Sequence, residues 1–154
     1  MKNYLFIGLF FALVFVFAGE MKAQTVSGSI GKGSVSRGAT ARGNVVLNIP
    51  SGLHVNSNNP KSKYAIATVV KVSSSNATVG SVSYPRGKNK KFSFSDDTIN
   101  IYEGRVVFGF NVTVPKNYKG RTIRVRATVK YQACTDEVCY APKTKEVTMT
   151  ANVR

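Results

Sequence analysis

The sequence predicts an all-β protein, an immunoglobulin-like antiparallel β-sandwich of about seven to nine short strands. Period-2 alternation of apolar and polar residues recurs along the chain, and no segment sustains a helical period. Turn-forming clusters punctuate the alternating runs at Pro50-Ser51-Gly52, Asn58-Asn59-Pro60, Pro85-Arg86-Gly87 and Pro115-Lys116-Asn117. Each run has one apolar face, and two sheets packed face to face bury all of them. A closed barrel is the competing architecture.

The elements follow in chain order. Residues 1–23 are expected to be a signal peptide. Lys2 gives a positive start, and residues 4–18 (YLFIGLFFALVFVFA) form an apolar run shorter than the ~20 residues that span a bilayer. Cleavage after Ala23 would leave the domain in the periplasm or otherwise exported, without a stable membrane anchor, where disulfides persist. Residues 24–41, rich in Gly, Ser and Thr, form a leader or a first edge strand, and residues 42–154 form the domain. Its strands are expected at 42–49, 52–56, 65–72, 78–84, 105–114, 121–133 and 145–153. In the fifth of these Val106, Phe108, Phe110, Val112 and Val114 share a face. In the sixth Ile123, Val125, Ala127, Val129 and Tyr131 do, and in the last Val147, Met149, Ala151 and Val153.

Composition narrows the function. The chain has 154 residues, two cysteines, one histidine, no tryptophan and a formal net charge of +15. That length suits one domain. The cysteines and the histidine fall short of a four-ligand zinc site, so no metal and no cofactor is expected. A hydrolase triad would rest on His54 alone, with no nucleophile motif beside it; His54 reads as a strand or turn histidine with ordinary hydrogen bonds. The charge suits anionic partners. However, Arg124, Arg126 and Lys130 alternate with apolar residues as on a solvated strand face. The densest cluster, Arg86, Lys88, Lys90 and Lys91, sits in a turn-like stretch without an aromatic ladder. Nucleic acid is therefore not an expected partner.

Chemistry concentrates at Cys134 and Cys139, within VKYQACTDEVCYAPKT. The spacing allows a disulfide. Closing so short a loop contributes roughly 2 kcal/mol, the weak end of disulfide effects. A staple for the whole sandwich would bridge distant strands, whereas a small exposed loop suits thiol exchange. By these residues alone, structural bridge and redox pair stand level.

The segment YQACTDEVCYAPKTKEV resembles the active-site hairpin of the N-terminal periplasmic domain of the thiol:disulfide interchange protein DsbD. The matching residues are Tyr131, Gln132, Cys134, Cys139, Pro142, Thr144 and Val147, and weaker matches lie at 52–60 and 85–108. The resemblance implies an immunoglobulin-like fold and electron transfer between thioredoxin-like proteins outside the cytoplasm. It implies that Cys139 forms the mixed disulfide with a partner and Cys134 resolves it, with Tyr131, Gln132 and Tyr140 at the partner surface. It also implies a cap with an aromatic over the pair, which falls in FSFSDDTIN: Phe92 or Phe94, with Asp96 and Asp97 alongside. The chain carries no electron conduit or thioredoxin domain of the kind that completes a full-length DsbD. A separate membrane electron donor is therefore expected, and the domain is expected to work as a monomer. The competing function is a non-catalytic adhesion or assembly module whose disulfide only trims a hairpin.

Overall fold

The computed structural model describes residues 23–93 and 95–154. The apolar run of the expected signal peptide and Phe94 lie outside the described residues. The described chain is all-β. It comprises β1 (Thr25–Ile30), β2 (Ser34–Val35), β3 (Thr40–Asn48), β4 (His54–Asn56), β5 (Val69–Ser74) and β6 (Thr78–Val79). The second half adds β7 (Lys88–Lys91), β8 (Thr98–Tyr102), β9 (Arg105–Thr113), β10 (Thr122–Tyr131), β11 (Ala133–Cys134) and β12 (Lys143–Val153).

Two four-stranded sheets make an immunoglobulin-like sandwich, ordered β1-β3-β9-β6 and β2-β12-β10-β5. Their pairings are antiparallel except for the short β2 beside β12. The Gly/Ser-rich stretch forms β1 at the edge of the first sheet, paired along its length with β3. The core lies between the sheets, where the alternation dictates: Val106, Phe108, Phe110 and Val112 from β9 meet Ile123, Val125, Ala127, Val129 and Tyr131 from β10 and Met149 and Ala151 from β12. Arg124, Arg126 and Lys130 face solvent between those inward residues, since successive side chains of a strand point to opposite sides.

A third, smaller sheet, ordered β11-β4-β8-β7, carries the cysteine pair. It contains the main departure from the sequence reading. The basic cluster in PRGKNKK is not simply a turn: Lys88–Lys91 form β7, paired with Ile101 back to Thr98 of β8. Its three lysines lie on the sheet's outer edge, where charge discourages pairing with another chain. The expected cap segment likewise runs into β8, whose Ile99 and Ile101 are buried with Phe92 in a satellite cluster apart from the main core.

Two of the chain's entries into this sheet position the cysteine hairpin. A turn at Pro50-Ser51-Gly52, closed by Leu53 N–H to the Pro50 carbonyl (3.2 Å) and with Gly52 at φ 80°, delivers β4. From the other side, β10 ends at Tyr131, breaks at Gln132 and continues as β11 in the third sheet. The cysteine hairpin is thus an extension of a central core strand.

Candidate functional site

The hairpin is built on a tight turn. Thr135 N–H donates to the Val138 carbonyl (2.8 Å), and the Thr135 hydroxyl accepts from Glu137 and Val138 N–H (3.2 and 3.0 Å). Tyr140 N–H donates to the Ala133 carbonyl at 2.8 Å. Between these bonds Cys134 and Cys139 face each other as an antiparallel bridge, joined by a disulfide with the Cα atoms 4.0 Å apart. They occupy the closely spaced, non-hydrogen-bonded position of the ladder, which brings side chains nearest.

The two sulfurs differ in access. Cys134 is 0% exposed, whereas Cys139 is exposed on the outer arm. Beside Cys139 opens a groove of about 340 Å³ lined by Asn56, Ser62, Tyr64, Ala65, Ser95, Ile99, Gln132 and Cys139. Tyr64 of this lining is 81% exposed, and Val138 and Tyr140, which flank Cys139 in the chain, are 54% and 46% exposed.

Polar residues fix the walls. Gln132 accepts a hydrogen bond from Asn56 Nδ2 (3.2 Å) and donates from Nε2 to the Tyr140 carbonyl (3.2 Å), tying β4 to the outer arm of the hairpin. Asn56 Nδ2 also reaches the Ile66 carbonyl at 3.1 Å, anchoring the loop that carries Tyr64. Lys90 of β7 holds Asp136 of the intercysteine turn through both carboxylate oxygens (2.9 and 3.1 Å) and lies 3.9 Å from Glu103. These charges are solvated, so their attraction is worth at most about 1 kcal/mol.

His54 lies on the inner side of the hairpin. It is the direct cross-strand partner of Cys134 in the β4–β11 ladder, 3% exposed, and stacked on Phe92 with ring centroids 4.6 Å apart. Burial is the main cause that holds its pKa below 6.5, with Lys90 adding to it; Asp136 and Glu103 pull the other way and do not prevail. The imidazole is therefore neutral at pH 7. Its Nδ1 sits 3.8 Å from Asp136 Oδ1, a proximity too long for a hydrogen bond.

The described residues among those expected from sequence fall into four groups. Cys134, Cys139, Gln132 and Tyr140 come together at the hairpin. Phe92 is 4% exposed, in the satellite cluster behind His54, with Lys90 Nζ 5.2 Å from its ring. Asp96 and Asp97 are exposed in the turn between β7 and β8, next to the groove-lining Ser95. Tyr131 stands apart. It is fully buried in the main core with its hydroxyl 3.4 Å from Gln24 Oε1, and burial pushes its pKa up. It offers a docking protein no surface, because it continues the inward face of β10. His54 and Tyr64 were not among the expected site residues. Their placement follows from strand register and loop path, which leave no local sequence signal.

Fold and site together define a β-sandwich domain bearing a disulfide hairpin with one buried and one accessible sulfur. Residues 28–151 match the family described as "Thiol:disulfide interchange protein DsbD, N-terminal", and the chain belongs to that family. Among solved structures the chain is similar to the N-terminal periplasmic domain of ScsB from Proteus mirabilis, with a TM-score of 0.48 and 10% identity over 84% of this chain and 45% of that one. It is also similar to the GAE domain of yeast GGA1, with a TM-score of 0.43 and 11% identity over 85% of this chain and 90% of that one. The chain therefore spans less than half the length of the ScsB chain. No curated protein matches it. Among the described residues no helix is long and apolar enough to cross a membrane.

Proposed function

We propose that the domain is an exported thiol–disulfide relay that passes electron pairs between thioredoxin-like proteins through Cys134 and Cys139. The observation that carries this is the unequal access of the two sulfurs in a member of a thiol:disulfide interchange family. A partner dithiol attacks the accessible Cys139 Sγ, breaking the intramolecular disulfide and releasing Cys134 as the leaving thiol. The partner's second thiol then displaces Cys139, so two electrons enter the domain and the partner leaves oxidised. Delivery to an acceptor runs the same steps backwards, with Cys134 resolving the mixed disulfide. The bare Tyr64, Val138 and Tyr140 suit an apolar partner face around a reactive disulfide, with Gln132 fixing the arm between them. Phe94, Asp96 and Asp97 remain proposed members of a segment that shields the pair, with the buried Phe92 as the wall that anchors it. The electron source is proposed to be a separate membrane protein, the domain acting as a monomer in the periplasm.

The deciding measurement is the reduction potential of the pair in glutathione buffers. A value near about −200 mV supports exchange with thioredoxin-like partners, and one below about −300 mV marks a structural bridge and refutes the relay. Cys134→Ala should accumulate a mixed disulfide through Cys139. Accumulation through Cys134 in Cys139→Ala instead would reverse the two roles.

A further inference from the structure

Cys134 poses a chemical difficulty for any exchange at this hairpin. The thiolate, not the thiol, is the nucleophile. A cysteine with no exposed surface is disfavoured as an anion, because burial penalises the charged form. Resolution through Cys134 therefore calls for a base that reaches it without water.

The β4–β11 ladder supplies one. His54 and Cys134 are paired directly across the strands. Side chains so paired project from the same face with Cβ atoms about 4.5–5.5 Å apart. His54 is the only histidine of the chain. Phe92 stacks on its ring, and its Nδ1 faces Asp136, which belongs to the turn between the two cysteines.

We propose that His54 is the proton acceptor that generates the resolving Cys134 thiolate; this deepens, and rests on, the relay reading above. When the reduced domain meets an acceptor disulfide, Cys139 loses its proton to solvent and bonds to one partner sulfur, the partner's S–S bond breaks, and the partner's other sulfur leaves with a solvent proton. The Cys134 S–H bond then breaks and its proton passes to the His54 imidazole. The Cys134 sulfur bonds to Cys139 Sγ, the mixed disulfide breaks, and the departing partner thiolate takes the proton from His54. Two electrons reach the acceptor, and His54 ends neutral.

Every neighbouring element contributes to the charge around this ring. Lys90 from β7 opposes the imidazolium, whereas Asp136 from the cysteine turn and Glu103 beyond β8 stabilise it. The resting imidazole is thus unprotonated and ready to accept, and the two carboxylates support it once it has.

The test follows the reduced full-length domain reacting with 5,5′-dithiobis(2-nitrobenzoate) by stopped flow between pH 5 and 9. The reagent is in enough excess that the first thionitrobenzoate release, at Cys139, outpaces the second, at Cys134. His54→Gln should slow the second release about 100-fold at pH 7, the low end for a positioned acid–base group. It should also move that phase's pH profile up into the range of an unassisted thiol, while the first release changes less than threefold. A second release unchanged in rate and profile overturns the proposal. His54→Phe keeps the ring stack on Phe92 without a basic nitrogen and should repeat the result if the Gln variant folds poorly. An independent readout needs no substitution at His54. In protein alkylated at Cys139, the single histidine's NMR titration should be coupled to ionisation of Cys134, and identical curves with and without the Cys134 thiol overturn the proposal. Because the reagent is a synthetic disulfide, both phases report on His54 whether or not thioredoxin-like proteins are partners. Failure of the relay reading would appear in the reduction potential and the trapping experiment instead.

Discussion

Phe92→Ala separates a wall from a flap. Phe92 is 4% exposed and packed with Ile99 and Ile101. An aromatic side chain buried to this degree withdraws about 150 Å² or more from water. At about 25 cal/mol per Å² that is about 4 kcal/mol. Alanine retains the Cβ share, and the void left behind adds a cavity cost, which places the expected loss at about 3–5 kcal/mol. Ala65, only half-buried against this cluster, leaves room to settle and favours the lower end. Urea unfolding of the oxidised protein measures the loss, with the m-value checking that the compactness of the states is unchanged. The second readout is the rate at which the reduced pair reacts with a small disulfide reagent. Cys139 is already exposed, so removing a ring that lies behind His54 should alter its rate by less than threefold. A loss below about 1 kcal/mol together with markedly faster oxidation would refute the wall and make Phe92 a mobile cover for the cysteines.

Iodoacetamide should modify Cys139 of the reduced domain at least about tenfold faster than the fully buried Cys134, as mapped by mass spectrometry; equal rates would contradict the asymmetry. Reducing the disulfide should lower unfolding stability by about 2 kcal/mol, since only a short loop is closed, and a loss above about 5 kcal/mol would make it a staple. Gly43→Ala should cost about 1–3 kcal/mol by thermal unfolding, because the Phe110 ring of β9 lies where the new methyl would go. Stability should also fall on acidification below about pH 6.5. The unfolded chain then binds a proton that the buried His54 resists, and the loss is complete once pH passes the depressed native pKa. Lys90→Met raises that pKa and should shrink the loss; an unchanged pH dependence would remove Lys90 from the balance around His54.

The sandwich was legible because its strands are one-sided. In β10, Ile123 through Tyr131 alternate against Arg124, Arg126 and Lys130, and no other secondary structure buries that pattern. The third sheet was harder to see. β7 is Lys-Asn-Lys-Lys, an edge strand with no apolar residue to reveal it, and β8 is a five-residue strand joined to turn-forming aspartates. The cysteine pair and Gln132 were legible as a motif, but His54 was not. Its proposed role depends on which residue lies opposite Cys134, and register across two short strands nearly eighty positions apart has no local signature. For Tyr131 the two sequence signals disagreed. Alternation placed it inward and resemblance placed it at the partner surface, and burial in the core decides for alternation.

The position of the hairpin would let one small domain tolerate both oxidation states that the proposed relay requires. The main core lies between the two large sheets and draws nothing from the satellite cluster of Phe92, Ile99 and Ile101. Breaking the disulfide should remove about 2 kcal/mol from a total that is typically about 5–15 kcal/mol, so the reduced domain is expected to stay folded. Yet β11 continues the chain of β10, a central core strand, and Cys134 is fully buried on it. Cys139 sits beyond a two-residue turn on the exposed arm, free to meet a partner. In the proposed relay the resolving sulfur lies on the buried arm and the attacked sulfur on the exposed one, within the short reach of a single hairpin. The rejoining step is then intramolecular, and well-oriented intramolecular steps outrun bimolecular ones by large factors. Moving the pair into the sandwich would have hidden both sulfurs, and moving it to a loose loop would have lost the pairing with His54.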